Sequence, residues 1–271
     1  MDLEDLRLNF ELVKDRIASF IRDAVGKAGA NGVVIGLSGG VDSSTVAFLL
    51  AYALGPENVL ALTLPSSTTP SQDTEDAFTV AELLGIEIEL VDIQPVEDAF
   101  AEVCPRYNPK NTLASGNLKP RLRMATLYYY ANIMNKLVVG TGNKSEIMIG
   151  YFTKHGDSGV DMLPIGDLYK TQVRWLAEEL GVPSRIIWKP PTAGLWPGQT
   201  DEEEIGVKYE TLDLILYGLV ELGYTQERIS KEAGVSIETV RKVATMVARS
   251  EHKRNLPPKP LLQSLKPKTG S

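Results

Sequence analysis

The first apolar pattern in the chain predicts an amphipathic helix over residues 3–28. Its apolar residues recur at alternating steps of four and three, the spacing of one helix face: Leu6, Phe10, Val13, Ile17, Phe20 and Ala24. Such a face packs either against the protein's own sheet or against a second subunit, and periodicity alone favours neither. We therefore assign residues 1–28 to an N-terminal amphipathic helix whose packing partner stays open.

Farther along, short apolar runs alternate with stretches of helical spacing. Runs rich in β-branched and aliphatic residues predict strands at 33–37, 58–64, 86–93 and 136–140. Helical spacing is found after Asp42 and over residues 73–84, 118–135 and 167–181, with Pro120 expected in the opening turn of the 118–135 helix. Strands that alternate with helices imply a parallel sheet covered on both faces. We therefore expect an α/β fold, a Rossmann-like doubly wound parallel sheet of about five strands.

The C-terminal third is expected to hold a helix pair and a tail. Residues 226–249 have the spacing of a helix-turn-helix with its turn at Gly234. The second helix offers few basic groups, so DNA reading is weakly supported and a packed helix pair is favoured. Residues 250–254 (SEHKR) and the proline-rich stretch 255–271 are expected to be extended. We expect residues 1–271 to form a single domain.

Residues 190–200, with the sequence PPTAGLWPGQT, are too rich in proline and glycine for a regular element. They carry Leu195 and Trp196, which we expect to be exposed. A mobile lid is the functional interpretation of this segment.

The first strand leads into a sequence suited to binding phosphate. Residues 33–44 read VVIGLSGGVDSS, which predicts a strand, a glycine turn and a helix start. Backbone N–H groups in such a turn point at one spot, and the helix N-terminus adds partial positive charge. Ser38 and Ser43 add hydroxyl donors. Asp42 would repel a polyanion unless a cation lay between them, so magnesium is implied.

Three other interpretations of this stretch were weighed. Asp42 or Ser43 could instead be an ordinary helix N-cap, which is a common arrangement. A P-loop of the kinase and GTPase type is excluded because Gly-x-x-x-x-Gly-Lys-[Ser/Thr] is absent. A dinucleotide fingerprint is excluded because Gly-x-Gly-x-x-Gly does not follow the strand.

A second polar loop, TGNKSE at 141–146, follows the fourth predicted strand. Open α/β sheets bind ligands outside the carboxyl ends of their strands, so both loops should face one crevice. Glu146 could supply a second carboxylate to the metal, or it could be a solvated acid at a helix start. Lys170 lies near a predicted helix start, where a cation opposes the dipole, which hints at a phosphate-binding role.

Composition narrows the class of protein. A net charge of −7 and a pI near 5.1 argue against a protein that binds nucleic-acid backbones. The one cysteine, Cys104, excludes an internal disulfide and a cysteine-based zinc cluster, and it fits a reducing cytoplasm. No apolar run reaches transmembrane length, and the acidic N-terminus is unlike a signal peptide. We expect a cytoplasmic protein without nucleic-acid or membrane partners.

The phosphate loop, SGGVDS at 38–43, resembles the pyrophosphate loop of the ATP pyrophosphatase superfamily. Six segments, in this order and across nearly the whole chain, closely resemble ammonia-dependent NAD synthetase: GLSGGVDSS, NLKPRLRM, GTGNKSE, GYFTKHGDSGVDMLPIGDLYKTQV, KPPTAGLWPGQTDEEEIG and SEHKR. The resemblance implies an adenine nucleotide α-hydrolase-like fold. It also implies a homodimer with the dinucleotide site at the subunit interface, which would give the N-terminal helix a purpose.

The resemblance also implies roles for individual residues. Those that would bind ATP are Gly36, Leu37, Ser38, Gly39, Gly40, Val41, Asp42, Ser43, Thr141, Lys170 and Thr192. Asp42 and Glu146 would hold Mg²⁺. Those that would bind deamido-NAD are Arg121, Lys154, Asp161, His252 and Lys253. Asp42 and Lys170 would be catalytic, and Asp157 is a candidate to receive a proton from ammonia.

The implied reaction amidates deamido-NAD with ammonia, consuming ATP and giving NAD, AMP and pyrophosphate through an acyl adenylate. Neither step requires a covalent enzyme intermediate, which agrees with the lack of a nucleophile constellation in the sequence. A glutamine-using enzyme would need a further amidase domain, so free ammonia is the expected nitrogen source.

Two alternatives remain. A thiolating pyrophosphate-loop enzyme generally relies on reactive cysteines, which disfavours it here. An adenine-nucleotide sensor that binds DNA through residues 226–249 is the alternative from a different class.

Overall fold

The computed structural model describes residues 1–196 and 198–260. Its centre is a parallel sheet in the order β3-β2-β1-β4. The strands are β1 (Val33–Gly36), β2 (Val59–Thr63), β3 (Glu87–Leu90) and β4 (Leu137–Val139). The four strands of the described residues fall one short of the predicted count. The fifth position is only an isolated parallel bridge between Val139 and Met162, because Pro164 follows shortly and has no N–H to extend a ladder.

Strand residues point alternately to two buried layers. Val33 and Ile35 pack on one face, and Val34 packs on the other. The first face is covered by α1 (Phe10–Ala28), α2 (Val41–Leu54), α3 (Ser71–Leu84), α7 (Lys170–Leu180) and α8 (Ser184–Ile187). The second is covered by α5 (Thr112–Met134), beside which lies α4 (Gln94–Val103). Helices on both faces confirm the predicted doubly wound α/β fold.

A third apolar cluster lies away from the sheet. It is built around Tyr209, Leu212, Val240 and Val243, all fully buried, and it also includes Leu6. Its helices are α6 (Lys144–Ile149), α9 (Asp201–Ile205), α10 (Tyr209–Leu216), α11 (Gln226–Ala233) and α12 (Ile237–Arg249). The predicted helix pair at 226–249 is therefore present, and its apolar residues face inward. None of the described helices has the length and apolarity to cross a membrane.

The N-terminal helix differs from the prediction in its start. Leu3–Leu6 forms a separate 3₁₀ turn, and α1 begins at Phe10 because the side chain of Asn9 accepts a hydrogen bond from the N–H of Leu12 at 3.1 Å. The buried face of α1 packs on the protein's own helices, while Phe20 is 46% exposed. The apolar spacing of the sequence continues from the 3₁₀ turn into α1 because Leu6 and Phe10 are both buried, although they belong to different apolar clusters.

Two other boundaries were predicted wrongly. Helix α5 begins at Thr112 rather than 118, since Asn111 accepts a hydrogen bond from the N–H of Ala114 at 3.0 Å, and Pro120 therefore lies inside the helix. The residues expected to be extended at 250–254 instead include a short helix, α13 (Glu251–Arg254). It is anchored because the guanidinium of Arg254 donates to backbone carbonyls of α6 and α12. Of the predicted tail, residues 261–271 lie outside the described part.

The sheet has two different edges. Strand β3 was predicted from mostly apolar residues, yet Glu87, Glu89 and Leu90 are exposed. At the other edge, the carboxylate of Asp161 accepts a hydrogen bond from the N–H of Val138 at 2.7 Å. The N–H of Asp161 in turn donates to the carbonyl of Val138 at 2.9 Å.

Candidate active site

The turn between β1 and α2 is shaped by glycine. Gly39 has a φ of 74°, and a Cβ there would lie 2.1 Å from the carbonyl oxygen of Asp73. Only glycine fits at such a position. The N-cap of α2 is Gly40, and in the part of the chain that the structure describes no side chain bonds to the first N–H groups of the helix. The alternative that Asp42 or Ser43 is an ordinary N-cap is therefore wrong, and those N–H groups are open to a ligand.

Two serine hydroxyls hold the turn in place. The Ser43 hydroxyl accepts from the N–H of Ser38 at 3.2 Å and donates to the carbonyl of Gly40 at 3.1 Å. The hydroxyl oxygens of Ser38 and Ser43 lie 3.0 Å apart. Ser43 is thus engaged within the turn, whereas Ser38 is exposed.

Behind this turn, a buried ammonium joins two carboxylates. The side chain of Lys170 is 2% exposed and forms ion pairs with Asp42 and, at 3.4 Å, with Oε1 of Glu146. Burial lowers the pKa of Lys170, but the two carboxylates more than offset this, so its pKa lies above the ordinary value. Lys170 therefore stays charged in the interior.

Glu146 serves two purposes at the start of α6. Its Oε2 accepts from the N–H of Asn143, whose own side chain accepts from the N–H of Glu146 at 3.0 Å. Asn143 also donates to Oδ1 of Asp42 at 2.9 Å. Burial, followed by the Asp42 carboxylate, raises the pKa of Glu146 to about 8. Glu146 is thus a helix-start acid as one interpretation held, but it is enclosed rather than solvated.

The donor set formed by Asp42 and Glu146 fits magnesium. Within the described residues, no group of three or more His, Cys, Asp or Glu side chains is arranged to hold a metal. Mg²⁺ is usually bound by one or two carboxylates, with phosphates and water completing its octahedron. A metal cation near Glu146 would also favour its charged form, which burial and the neighbouring Asp42 carboxylate disfavour by raising the pKa of Glu146.

The starts of α6 and α7 are held together by a buried acid that the sequence did not single out. Oδ2 of Asp213 accepts from the N–H of Thr171 at 2.8 Å, and Oδ1 accepts from the hydroxyl of Ser145 at 2.5 Å. The same hydroxyl accepts from the N–H of Lys170 at 2.9 Å. Burial raises the pKa of Asp213 to about 6, and these donors act against that rise. Asp213 thereby fixes the backbone positions from which the side chains of Lys170 and Glu146 project from α7 and α6.

A cavity of about 480 Å³ opens at the carboxyl ends of β1 and β4. Of the residues expected to bind ATP, all but Gly39 line it, including Thr141, Lys170 and Thr192. Asp157 also lines it, and its Oδ1 accepts from the N–H of Thr153 at 2.8 Å. Partial loss of hydration raises the pKa of Asp157, which the bonded Thr153 N–H counteracts. The two loops predicted to face one crevice do so.

Lys189 and Asp201 also line this cavity, and the sequence motifs pointed to neither. The Lys189 ammonium donates to the carbonyl of Gly39 at 3.1 Å and to Asp73 at 2.9 Å. Asp201 is 4% exposed, and both of its oxygens accept from tyrosine hydroxyls. Their only signal was position, since Lys189 opens KPPTAGLW and Asp201 follows GQT.

Four of the five residues expected to bind the dinucleotide are near one another. A guanidinium N–H of Arg121 donates to the carbonyl of Lys154 at 3.3 Å, and the Lys154 ammonium donates to the carbonyl of His252 at 2.7 Å. Lys253 lines the cavity and donates to the carbonyls of Gly150 and Phe152. The fifth, Asp161, is instead engaged at the edge of β4.

Residues 190–196 and 198–200 have no regular structure, as predicted, but Leu195 and Trp196 are half-buried rather than exposed. They lie against Gly116 of α5, where an added Cβ would be 3.4 Å from each side chain. The ammonium of Lys119 donates to the carbonyl of Leu195 at 3.0 Å, and the Thr68 hydroxyl donates to that of Gly194 at 3.0 Å. The lack of a side chain at Gly116 leaves room for Leu195 and Trp196. The prediction that these two residues are exposed did not take this room into account.

Residues 13–257 match the sequence model of the NAD synthase family. This chain belongs to the NAD synthase family. It is 55% identical over 93% of its length to the NH(3)-dependent NAD(+) synthetase of Archaeoglobus fulgidus, covering 97% of that protein. It is 49% identical over 94% of its length to the protein of the same name from Methanosarcina acetivorans, covering all of it.

Solved structures of NAD synthase relatives agree in fold. An NMN synthetase from Francisella tularensis matches with a TM-score of 0.83 and 37% identity, over 94% of this chain and 99% of that one. An NH3-dependent NAD synthetase from Campylobacter jejuni matches with a TM-score of 0.79 and 29% identity, over 94% and 100%. A glutamine-dependent NAD+ synthetase from Acinetobacter baumannii matches with a TM-score of 0.62 and 28% identity, over 93% of this chain but 47% of that one.

These comparisons establish the family of the chain, and they also bear on the alternative that was drawn from the helix pair. Membership of the NAD synthase family leaves the DNA-binding sensor without support. Cys104 is half-buried at the end of α4.

Proposed function

We propose that this protein catalyses the ATP-dependent amidation of deamido-NAD by ammonia, which yields NAD, AMP and pyrophosphate. The observation that carries the proposal is the convergence of Asp42, Glu146 and Lys170 behind a glycine turn, in a chain of the NAD synthase family. The curated relatives that are 49–55% identical to it are named NH(3)-dependent NAD(+) synthetases. We regard residues 1–271 as one synthetase domain.

In the first step, the nicotinate carboxylate attacks the α-phosphorus of ATP, and the bond to the β,γ-pyrophosphate breaks. The unbonded N–H groups at the start of α2 would bind the phosphates. Lys170, which stays charged in the interior, would stabilise the negative charge on the departing pyrophosphate. The product of this step is an acyl adenylate.

Asp42 and Glu146 would hold Mg²⁺, which supplies neutralisation of phosphate charge when bound. Their oxygens already face a shared cation, the ammonium of Lys170. Thr141 and Thr192 line the same cavity and would contact ATP.

In the second step, the lone pair of ammonia attacks the activated carbonyl carbon, and AMP leaves with the electrons of the acyl–oxygen bond. The nitrogen must lose a proton, and we assign its receipt to Asp157. Asp157 lines the cavity, and a carboxylate whose pKa is raised accepts a proton more readily than an ordinary one.

Deamido-NAD would extend from the cavity toward Arg121, Lys154, His252 and Lys253, with Asp161 included by family resemblance. We infer a homodimer with this site at the subunit interface. The outer surface of α5 supports this, because it carries the exposed Arg121 together with Tyr129 and Ile133, which are 66% and 64% exposed. Most of the apolar face of the N-terminal helix packs on its own chain, although Leu12 and Phe20 are 66% and 46% exposed. A cytoplasmic location stays a prediction.

The decisive experiment incubates the purified protein with ATP, magnesium, deamido-NAD and ammonium, and separates the products by chromatography. Formation of NAD and AMP in equal amounts supports the proposal, and the absence of both contradicts it. Nicotinate mononucleotide should be tested in parallel, because the similar Francisella protein is described as an NMN synthetase. If nicotinate mononucleotide is turned over faster than deamido-NAD, the mononucleotide is the substrate and the proposal is wrong on this point.

A further assay tests the nitrogen source. Only unprotonated ammonia has a lone pair for the attack, so the total ammonium needed for half-maximal rate should fall from neutral to mildly alkaline pH. Glutamine should support little NAD formation by the purified protein. Efficient use of glutamine that disappears in Cys104→Ser would contradict ammonia as the direct substrate.

A further inference from the structure

Asp201 lies where the 190–200 segment meets the cavity. Its N–H donates to the carbonyl of Pro191 at 3.0 Å, which closes the segment into a loop. Its side chain is buried and yet lines the cavity. Oδ1 accepts from the hydroxyl of Tyr151 at 3.1 Å, and Oδ2 accepts from that of Tyr209 at 3.2 Å. The carboxylate is therefore held from both sides in one orientation.

Tyr209 connects this carboxylate with Lys170. It is fully buried, and its ring centroid lies 5.1 Å from the Lys170 ammonium, within the range of a cation–π contact. The hydroxyl at the far end of the same ring is fixed by Asp201. A change in Asp201 would thus move the ring on which the ammonium rests.

Gln199 and Tyr151 connect the carboxylate with the 190–200 segment. The side chain of Gln199 accepts from the N–H of Leu195 at 2.8 Å and donates to Glu204 at 2.8 Å. The hydroxyl of Tyr151 lies 2.8 Å from the same Glu204 oxygen. The side-chain amide of Gln199 also donates to the Tyr151 hydroxyl at 3.4 Å. A series of hydrogen bonds therefore runs from Leu195 through Gln199 and Tyr151 to Asp201, which also accepts from Tyr209.

We propose that Asp201 is a positioning residue, which couples the placement of the 190–200 segment over the cavity to the placement of the Lys170 ammonium. This rests on the proposed function, since it takes Lys170 as the cation that acts on pyrophosphate. In this proposal Asp201 acts through Tyr209 and is not itself a ligand of phosphate or metal. Its loss should slow the chemical step and loosen the segment together.

The test compares Asp201→Asn with Tyr209→Phe, which keeps the ring and removes only the hydroxyl, and with the double variant. Glu203→Gln is the matched control, because Glu203 is an exposed acid in the same helix. Losing a hydrogen bond to a charged group should lower kcat about tenfold or more, while KM for ATP changes little. The double variant should lose no more than Asp201→Asn alone, because both changes remove one contact.

Two readouts separate positioning from a purely structural role. Thermolysin cleavage of the Gly194–Leu195 bond should be faster in Asp201→Asn than in wild type or Glu203→Gln. The magnesium concentration for half-maximal rate should be unchanged. If that concentration rises markedly, Asp201 is a metal ligand and the proposal is overturned.

The outcomes also separate this inference from the proposed function. Wild type that forms no NAD removes the proposed function, whereas wild-type turnover with a normal kcat in Asp201→Asn removes only the positioning role. If Asp201→Asn fails to fold, Tyr209→Phe decides. A normal kcat in Tyr209→Phe, or a loss of folded protein without a fall in kcat per folded molecule, overturns the proposal.

Discussion

At the phosphate-loop end of the cavity, charged side chains are enclosed and bonded to one another, whereas at the dinucleotide end they bond to backbone carbonyls. Lys170 is paired with Asp42 and Glu146, and Asp213 fixes the helix that bears it. The partners that Arg121 and Lys154 have among the described residues are, in contrast, backbone carbonyls. The first end is pre-organised for charge, while the second retains cationic charge for an anionic ligand. We expect substitutions at the first to affect rate, and at the second to affect binding.

The largest expected effect comes from the two carboxylates. Asp42→Asn or Glu146→Gln should lower pyrophosphate release by about a thousandfold or more, because several kcal/mol of charge stabilisation depend on the bound cation. Rapid-quench measurement of pyrophosphate with varied magnesium checks this, with Glu178→Gln as the control, an exposed acid on α7. Near-normal turnover at an unchanged magnesium requirement would remove that residue from the proposed metal site.

Lys170→Met should have the next largest effect. Removing one cation or donor from the developing charge typically costs about a hundredfold to a thousandfold in kcat. Lys136→Met is a matched control, since Lys136 is a half-buried lysine that donates to the carbonyl of Asn58 and does not line the cavity. Steady-state kinetics with circular dichroism for folding would check the prediction. A fall in kcat no larger than that of the control would contradict it.

Arg121→Ala should act on binding, and by less. Loss of a hydrogen bond to a charged group predicts an increase of about tenfold to a hundredfold in KM for deamido-NAD, with kcat little changed. Arg249→Ala, an exposed arginine on α12, is the control. If Arg121→Ala lowered kcat and left KM alone, the difference between the two ends would not hold.

The smallest effect is expected in the 190–200 segment, which borders both ends. Lys119 and Thr68 already hold it, so ATP and deamido-NAD should only slow its proteolysis, each by about tenfold at ten times its dissociation constant. Cleavage rates with and without ligands measure this directly. Equal rates would show that the segment does not respond to substrates, whatever its own mobility.

The part of the site that sequence could predict lies at strand ends. The SGGVDSS and TGNKSE loops were expected to meet because parallel strands end at the same edge, and both line one cavity. Tyr209 and Asp213 could not be found in this way. Their spacing is that of ordinary core positions in α10, and only the approach of distant helices gives them Lys170 and Ser145 as neighbours.

The fold was predictable where period and burial agree. The continuous apolar runs of β1 and β2 indicated strands buried on both faces, whereas the N-terminal pattern joined two elements that belong to different clusters. Asn9 is a good N-cap and therefore indicates that a helix starts at Phe10. The apolar spacing that continues across Asn9 obscured this indication. The half-burial of Leu195 and Trp196 depends on the space at Gly116, which no local pattern reveals.

The two edges of the sheet bear on how the chain avoids association while it folds. A parallel sheet with free edges offers unpaired N–H and C=O groups to other chains, which is a route to aggregation. Here the carboxylate of Asp161 occupies the outward N–H of Val138. At the opposite edge, the exposed carboxylates of Glu87 and Glu89 would repel another acidic chain. We therefore expect Asp161 to contribute to solubility in addition to any contact with a ligand. Insoluble protein from Asp161→Ala would then result from the unpaired edge of β4.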